Sequence, residues 1–331
     1  MTTLYLNEQQ SIVKKRDEYL IVTYPDKRKT EIPLIHVSQV VVSGDITLTT
    51  PALHALLERG IDVSFLSFYG QFRGKLLPPI AKNAAVRNAQ FHVHAHQEQA
   101  LQVAQACIRG KLANMRTMLL RANRQIQSDE ITSAAQNIQQ MMGLVAETKT
   151  VGTLLGVEGN GSAAYFRVFG QMLRGTFHFT HRRRRPPTDP VNAMLSLGYT
   201  LLGHQVASAI QVVGLDPYTG FLHQFRHGRP SLALDMMEEF RPLIVDSIVL
   251  NICNHRLLAA NDFQEELGVV YLKAEARKKF YGKFEERLQE EIQHPRFEYR
   301  TSYQRCLELQ VRLLAKHLMG ELPSYPPFIV R

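Results

Sequence analysis

QFRGKLLPPIAKNAAVRNAQ, residues 71–90, changes character in its middle. Up to Leu77 it continues a series of short β-branched or alternating segments, which Pro78 and Pro79 stop. From Ala84 the chain is rich in Ala, Gln, Leu and Arg. Apolar residues there recur at helical spacing, among them Leu101, Ala104, Ile108, Leu112, Met115 and Leu119. The expected fold is α+β in two domains. Residues 1–80 form a small N-terminal antiparallel β domain, β-sandwich-like, and residues 81–331 an all-α C-terminal domain.

Upstream of the break the expected strands are 3–6, 11–15, 19–23, 29–32, 37–42, 63–66 and 71–76. One helix interrupts them. Thr50 and Pro51 open it, residues 52–59 continue it and Gly60 closes it. Downstream, helices are expected at 84–127, 131–149, 162–173, 190–213, 231–254 with a bend at Pro242, 271–293 and 303–319. The tail 323–331, with three prolines, reads as loosely ordered.

A chain of 331 residues with 45% hydrophobic content can fill two cores. No apolar run approaches the roughly 20 residues that cross a bilayer, and the N-terminus lacks the basic-then-apolar order of a signal peptide. A cytoplasmic protein without membrane contact is expected. Cys107, Cys253 and Cys306 are far apart and read as reduced, buried thiols. The net charge of +9 is uneven, with +1 on residues 1–80 and +8 on the rest. Such a surplus favours a polyanionic partner.

Four segments of the C-terminal part concentrate chemistry. GLDPYTGFLH (214–223) is a turn-rich loop ending in His223, and SLALDMMEEFRP (231–242) reads as a helix with Asp235, Glu238 and Glu239 close together on it. Carboxylates and an imidazole brought together suggest a divalent metal site. GVEGNGSAAYF (156–166) places Glu158 among glycines, read as the entrance to a helix. No Lys-Ser/Thr follows the glycines, which excludes a phosphate loop of the nucleotide-binding kind. HRRRRPPTDPVN (181–192) sets Arg182, Arg183, Arg184 and Arg185 on a loop before a helix start, suited to holding phosphates. His92, His94 and His96 would share a face only in a strand. Their flanks read as helix, where His94 points away from the other two. Glu290 to His294 reads as helix surface.

Taken together, these motifs in this order resemble the CRISPR adaptation integrase, the first-numbered family of CRISPR-associated proteins, over almost the whole chain. The resemblance implies a metal-dependent DNA endonuclease and integrase that inserts spacer DNA into a CRISPR array. It implies Glu158, His223 and Glu238 as catalytic residues and ligands of Mg²⁺ or Mn²⁺, with Asp235 as an auxiliary acid. It also implies a homodimer that joins a small dimeric partner, the second-numbered CRISPR-associated protein, on DNA that is double-stranded, branched or has free three-prime ends. The chemistry suits the residues: phosphodiester displacement needs neutralisation of charge on phosphorus and activation of a hydroxyl, and a bound divalent cation supplies both. Oxygen-dominated ligation with one imidazole accommodates either metal. Tyr165 and His204 are possible neighbours of the site, Tyr165 reading more as core. A non-catalytic DNA-binding scaffold is the alternative from another class, and a small-molecule metal hydrolase would leave the basic surplus without a purpose.

Overall fold

The computed structural model describes residues 2–68, 70, 72–78, 84–183, 186–223 and 226–330. Eight strands open the chain: β1 (Thr2–Leu6), β2 (Ser11–Arg16), β3 (Tyr19–Thr23), β4 (Lys29–Pro33), β5 (Val37–Ser43), β6 (Ile46–Leu48), β7 (Asp62–Leu66) and β8 (Phe72–Leu76), with helix α1 (Thr50–Glu58) between β6 and β7. They form two four-stranded sheets, ordered β1-β5-β7-β8 and β4-β3-β2-β6. Leu6, Val13, Leu20, Val22, Val40, Leu56 and Val63 fill the core of this region.

The sheets are mixed rather than antiparallel. β1 with β5, β5 with β7 and β2 with β6 run parallel, while β2–β3, β3–β4 and β7–β8 are antiparallel. Turn signals mark where strands stop but not which sheet the next strand enters. Here β1 leaves its sheet, a three-stranded meander forms the other, and β5 returns beside β1. The segment carrying β6 and α1 is the long crossover that a parallel β5–β7 pair requires.

The C-terminal part is mostly helical: α2 (Ala84–Ala95), α3 (Gln97–Ile126), α4 (Asp129–Val145), α5 (Val151–Phe169), α6 (Pro190–Val213), α7 (Ser231–Met237) and α8 (Ser247–Asn254). Two short hairpins are set into it. β9 (Phe263–Glu266) pairs with β10 (Val269–Leu272) before α9 (Ala274–Gln289), and β11 (Glu291–Gln293) pairs with β12 (Arg300–Ser302) before α10 (Tyr303–Leu318). Gly268, at φ 76°, sits in the first hairpin's turn, a signal that the helical reading of 271–293 passed over. The helix expected at 84–127 is two helices, parted at His96. Among the described residues no helix is long and apolar enough to cross a membrane. The break at 80/81 falls on residues outside those described, as do Tyr69, Gln71 and Pro79.

α5 begins eleven residues before the helix expected at 162. Thr150 caps it reciprocally with Thr153, so Gly152, Gly156, Gly159 and Gly161 lie inside a helix rather than in a loop before one. Gly161 shows why a glycine is kept there: a Cβ would overlap the Cδ2 of Leu112 on α3. The glycine lets α5 approach α3, and that approach brings Glu158 to Lys111. Gly161→Val is expected to destabilise the protein by about 1–3 kcal/mol through overpacking. Denaturation midpoints equal to wild type would show that Leu112 moves aside freely.

The tail is not loose. Tyr325, Phe328 and Val330 are 3%, 0% and 6% exposed, packed into the helical core. Three prolines prevent regular structure without preventing burial. Cys107, Cys253 and Cys306 are free and buried.

Candidate metal centre

The loop before α7 is built around Asp235. Its Oδ2 accepts from the backbone N–H groups of Phe221 and Leu222 at 2.6 and 2.9 Å. Its Oδ1 accepts from His223 N at 3.0 Å and lies 2.7 Å from the ring Nδ1. A carboxylate on Nδ1 fixes the tautomer and leaves Nε2 as the ring atom for a ligand. Gly220 permits the approach, since a Cβ would stand 2.7 Å from Asp235 Oδ2 and from Ser231 C. Upstream, Asp216 Oδ1 accepts from Tyr218 N and Thr219 N at 2.7 and 2.9 Å, closing the turn expected there. α2 pins the same loop: Gln90 Nε2 donates to the Asp216 and Thr219 carbonyls at 2.8 and 2.7 Å, and His94 Nδ1 lies 2.7 Å from Gly220 O. His94 therefore has a partner within the protein, while His92 and His96 stack with centroids 4.2 Å apart.

Glu158 and Glu238 meet on one cation. Lys111 Nζ pairs with Glu158 Oε1 and lies 2.8 Å from Glu238 Oε2, with the lysine side chain only 3% exposed. Ser162 Oγ also donates to Glu158 Oε1 at 2.7 Å. Burial raises the Glu158 carboxyl's pKa, but the Lys111 charge and the hydrogen bonds from Lys111 and Ser162 outweigh it, and the net direction is down. Burial acts likewise on Glu238, where Arg241, Lys111 and His223 overcome it and bring the value to about 2. Both acids are thus ionised at neutral pH. Arg241 Nη2 stands 3.3 Å from Glu238 Oε1.

Arg241 is itself held from behind. Its guanidinium lies 4.7 Å from the ring centroid of Tyr199, whose hydroxyl donates to Asp246 Oδ1 at 2.5 Å. Asp246 is fully buried, which pushes its carboxyl up to about 6 against the hydrogen bonds from Tyr199 and Tyr165. Arg241 and Asp246 begin and end a π-helical turn, Arg241–Asp246, where the expected bend at Pro242 lies.

Lys111, Arg241, Tyr199, Asp246 and Gln90 were not singled out from the sequence. Lys111 had a signal, since it falls with Cys107, Ile108, Leu112 and Met115 on the apolar face of α3, where a lysine needs a counter-charge.

The other expected site residues are dispersed. Arg182 is tied inward, Nη1 donating to Asn192 Oδ1 at 2.7 Å and Nη2 to Ser196 Oγ at 3.1 Å. Arg183 is exposed, and Arg184 and Arg185 lie outside the described residues. His204 packs on the ring of Phe72 at 4.4 Å, away from the acids, and burial followed by the nearby Lys75 charge lowers its pKa to about 4. Tyr165 is core, 0% exposed. His294 is not on a helix surface but at the end of β11, 1% exposed, against Phe297 and Phe328.

A cavity of about 440 Å³ connects Glu158 with the arginine loop, lined by Glu158, Ser162, Phe166, Arg167, His181 and Arg182 among others. Glu158 is the acid on its wall, which it shares with the cationic or ionisable Arg167, His181 and Arg182.

Glu239 belongs to a different environment from its neighbour. It is 0% exposed and accepts from Tyr325 OH at 2.8 Å, Phe328 N at 2.6 Å and Gln310 Nε2 at 3.3 Å. Burial, opposed by those bonds, pushes its carboxyl up to about 8. A folded value above the ordinary 4.5 means that the fold holds the proton more tightly than the unfolded chain does. The stability from this group is complete below about 4.5 and is lost as pH rises through about 8. Glu239→Gln is expected to flatten that part of the stability–pH curve, and denaturation midpoints across the interval that kept the wild-type slope would contradict this.

Among the described residues no three His, Cys, Asp or Glu side chains stand at metal-ligand spacing. The donor set nevertheless fits a hard divalent cation: two ionised carboxylates and an imidazole whose Nδ1 is engaged. Glu238 Oε2 is buried without a well-formed hydrogen bond, its counter-charge being the Lys111 ammonium.

A two-sheet β region is thus followed by helices that bring acids and cations together. The family model for CRISPR associated protein Cas1 matches residues 4–286, and the chain belongs to this family. It is 38% identical to CRISPR-associated endonuclease Cas1 3 of Thermus thermophilus, over 99% of this chain and 97% of that protein. It is 42% identical to a CRISPR-associated exonuclease Cas4/endonuclease Cas1 fusion of Geobacter sulfurreducens, over 99% of this chain, and spans 60% of the fusion's length. Among solved structures, the Cas1 protein from Thermotoga maritima superposes with a TM-score of 0.83 at 26% identity, covering 97% of each chain. A chain of a Cas6-RT-Cas1–Cas2 complex gives 0.83 at 29% identity, over 99% of this chain and 36% of that one.

Proposed function

We propose that this protein is a divalent-metal-dependent DNA endonuclease and integrase of CRISPR adaptation, joining spacer DNA to a repeat array by phosphodiester transesterification. The observation that carries the reading is the convergence of Glu158 and Glu238, from separate elements, on the buried Lys111 beside a cavity lined by Arg167, His181 and Arg182. Glu158, Glu238 and His223 would hold Mg²⁺ or Mn²⁺. When bound, the ion supplies charge neutralisation at phosphorus and a more acidic nucleophilic hydroxyl.

The protein's own residues do the rest. Asp235 orients His223, and Arg241 holds Glu238 ionised and in position. The cavity beside Glu158 admits a phosphodiester, with Arg167, Arg183 and the rest of the 182–185 loop drawing the backbone in. Arg182, bonded to Asn192 and Ser196, shapes that loop. The name of the Thermus relative supports the endonuclease class, and the Cas1–Cas2 complex supports a Cas2 partner, a homodimer being the state the family resemblance implies.

The test is incubation of the protein and its Cas2 partner with Mn²⁺ or Mg²⁺, a short duplex with free three-prime ends and a repeat-bearing plasmid. Covalently joined DNA that disappears with chelator is expected. DNA binding that is indifferent to the metal, with neither nicked nor joined product, would overturn the reading in favour of a scaffold.

A further inference from the structure

Glu238 lies on a turn rather than within a helix. α7 ends at Met237, and residues 238–240 lead into the π-helical turn, so regular α-helical bonding does not secure the segment. Backbone bonds from Glu238 N to Asp235 O at 3.2 Å and from Phe240 N to Met237 O at 3.0 Å close the turn itself, and the side-chain contacts that anchor it to the helical core come largely from the far end of the chain. Tyr325 OH and Phe328 N both donate to Glu239, and the ring of Phe328 stacks on Phe240 with centroids 4.8 Å apart. Asn114 on α3 closes the knot. Its Nδ2 donates to the carbonyls of Glu239 and Phe328 at 2.8 and 2.7 Å, and its Oδ1 accepts from Val330 N at 3.0 Å. Gln310 on α10 donates to Tyr325 OH at 2.8 Å and to Pro326 O at 3.0 Å. Gly110 is kept bare for this packing: a Cβ would stand 2.8 Å from Glu239 Cγ and 3.0 Å from Pro327 Cβ. The next residue is Lys111.

We infer that residues 325–330 are a strap that positions the active centre, fixing the turn that carries Glu238 against the helix that carries Lys111. Tyr325 and Phe328 are positioning residues: they touch neither acid of the site and act through Glu239 and Phe240. With the strap in place, the Glu238 carboxylate is held at one distance from Glu158. Without it, the 238–240 turn is free to shift and the two carboxylates lose their register. This inference rests on Glu238 being a metal ligand, as proposed above.

The test is a titration of the full chain with Mn²⁺ alone, followed by the electron paramagnetic resonance signal of the free ion. Wild type is compared with Tyr325→Phe, Phe328→Ala, Glu238→Ala and, as a core control, Leu20→Ala in the β region. Loss of a supporting partner weakens metal affinity by roughly tenfold or more, and about that is expected for Phe328→Ala. Tyr325→Phe removes one hydroxyl and keeps the ring, so a smaller but clear weakening, about threefold, is expected on the same grounds. Strand transfer by both variants should recover as Mn²⁺ is raised, and Leu20→Ala should bind Mn²⁺ like wild type. If Phe328→Ala does not fold, Tyr325→Phe decides. Binding within about twofold of wild type in Tyr325→Phe overturns the strap, as does an equal loss in Leu20→Ala. Wild-type Mn²⁺ binding that Glu238→Ala leaves intact overturns the metal reading beneath it instead.

Discussion

Lys111→Met should make the metal-free protein markedly less stable while making its stability more responsive to Mn²⁺. The lysine is buried between Glu158 and Glu238, and its removal leaves two carboxylates with Arg241, among the described residues, as the remaining cation in an ion pair with either, on Glu238. Removing one partner of a buried ion pair costs about 3–5 kcal/mol, because the remaining charge stays desolvated without compensation. Methionine matches the lysine stem in length, so the loss is one of charge rather than packing. Glu158 also loses the interaction that outweighs its burial, and its carboxyl should become easier to protonate. On the proposed function, a divalent cation would compete in wild type with the ammonium for the same two carboxylates. In the variant it would no longer compete with the ammonium, and binding to the folded state alone would raise stability by mass action. Denaturation midpoints with and without Mn²⁺ measure both effects. A metal-free variant as stable as wild type, or one whose midpoint moves no further with Mn²⁺, would show that Lys111 is not the counter-ion of this pair.

Glu238→Ala should lower Mn²⁺-dependent strand transfer by about a hundred- to a thousandfold, the several kcal/mol that charge stabilisation by a bound metal contributes. Glu238 is held at about 2 by Arg241, Lys111 and His223, so it is ionised throughout the working pH range. No neighbouring acid can replace it. Asp235 is committed to the His223 loop and Glu239 to the tail. Asp235→Ala should cost less, about tenfold to a hundredfold, as expected for an outer-shell partner of a ligating histidine. The comparison is made in the duplex–plasmid joining assay with DNA binding measured alongside. Full joining activity in Glu238→Ala would remove it from the site, and a larger loss in Asp235→Ala than in Glu238→Ala would reverse their roles.

The division between β and helical parts was legible because hydrophobic period is local: β2 and β3 alternate or run apolar over five or six residues, and the start of α6 is marked by Asp189-Pro190. Strand pairing was not legible, because a turn signal is the same whether the next strand stays in the sheet or leaves it. β6, three residues long, was missed altogether. The misplacement of Glu158 at a helix entrance has a specific cause. Four glycines within ten residues look like a loop, while the signal that starts α5, Thr150 with Thr153, lies upstream. Glu158, His223 and Glu238 could be named from their motifs. The cations that set their charge could not, because Lys111 meets them only across tertiary contacts, 47 positions from Glu158. His204 shows the complementary limit: an ionisable residue can have its neighbours elsewhere in space, here Phe72 and Lys75 of the β region.

Phe328 N and the Glu239 carboxyl group that it meets are 89 positions apart in the chain. At roughly 5–20 residues per second, a ribosome takes several seconds to cover that distance. Over that interval the nascent chain already carries Glu158, His223 and Glu238 but not the segment that packs beneath the last of them. A message truncated in the same interval encodes a protein with every acid of the site and none of the contacts that residues 325–330 make beneath it.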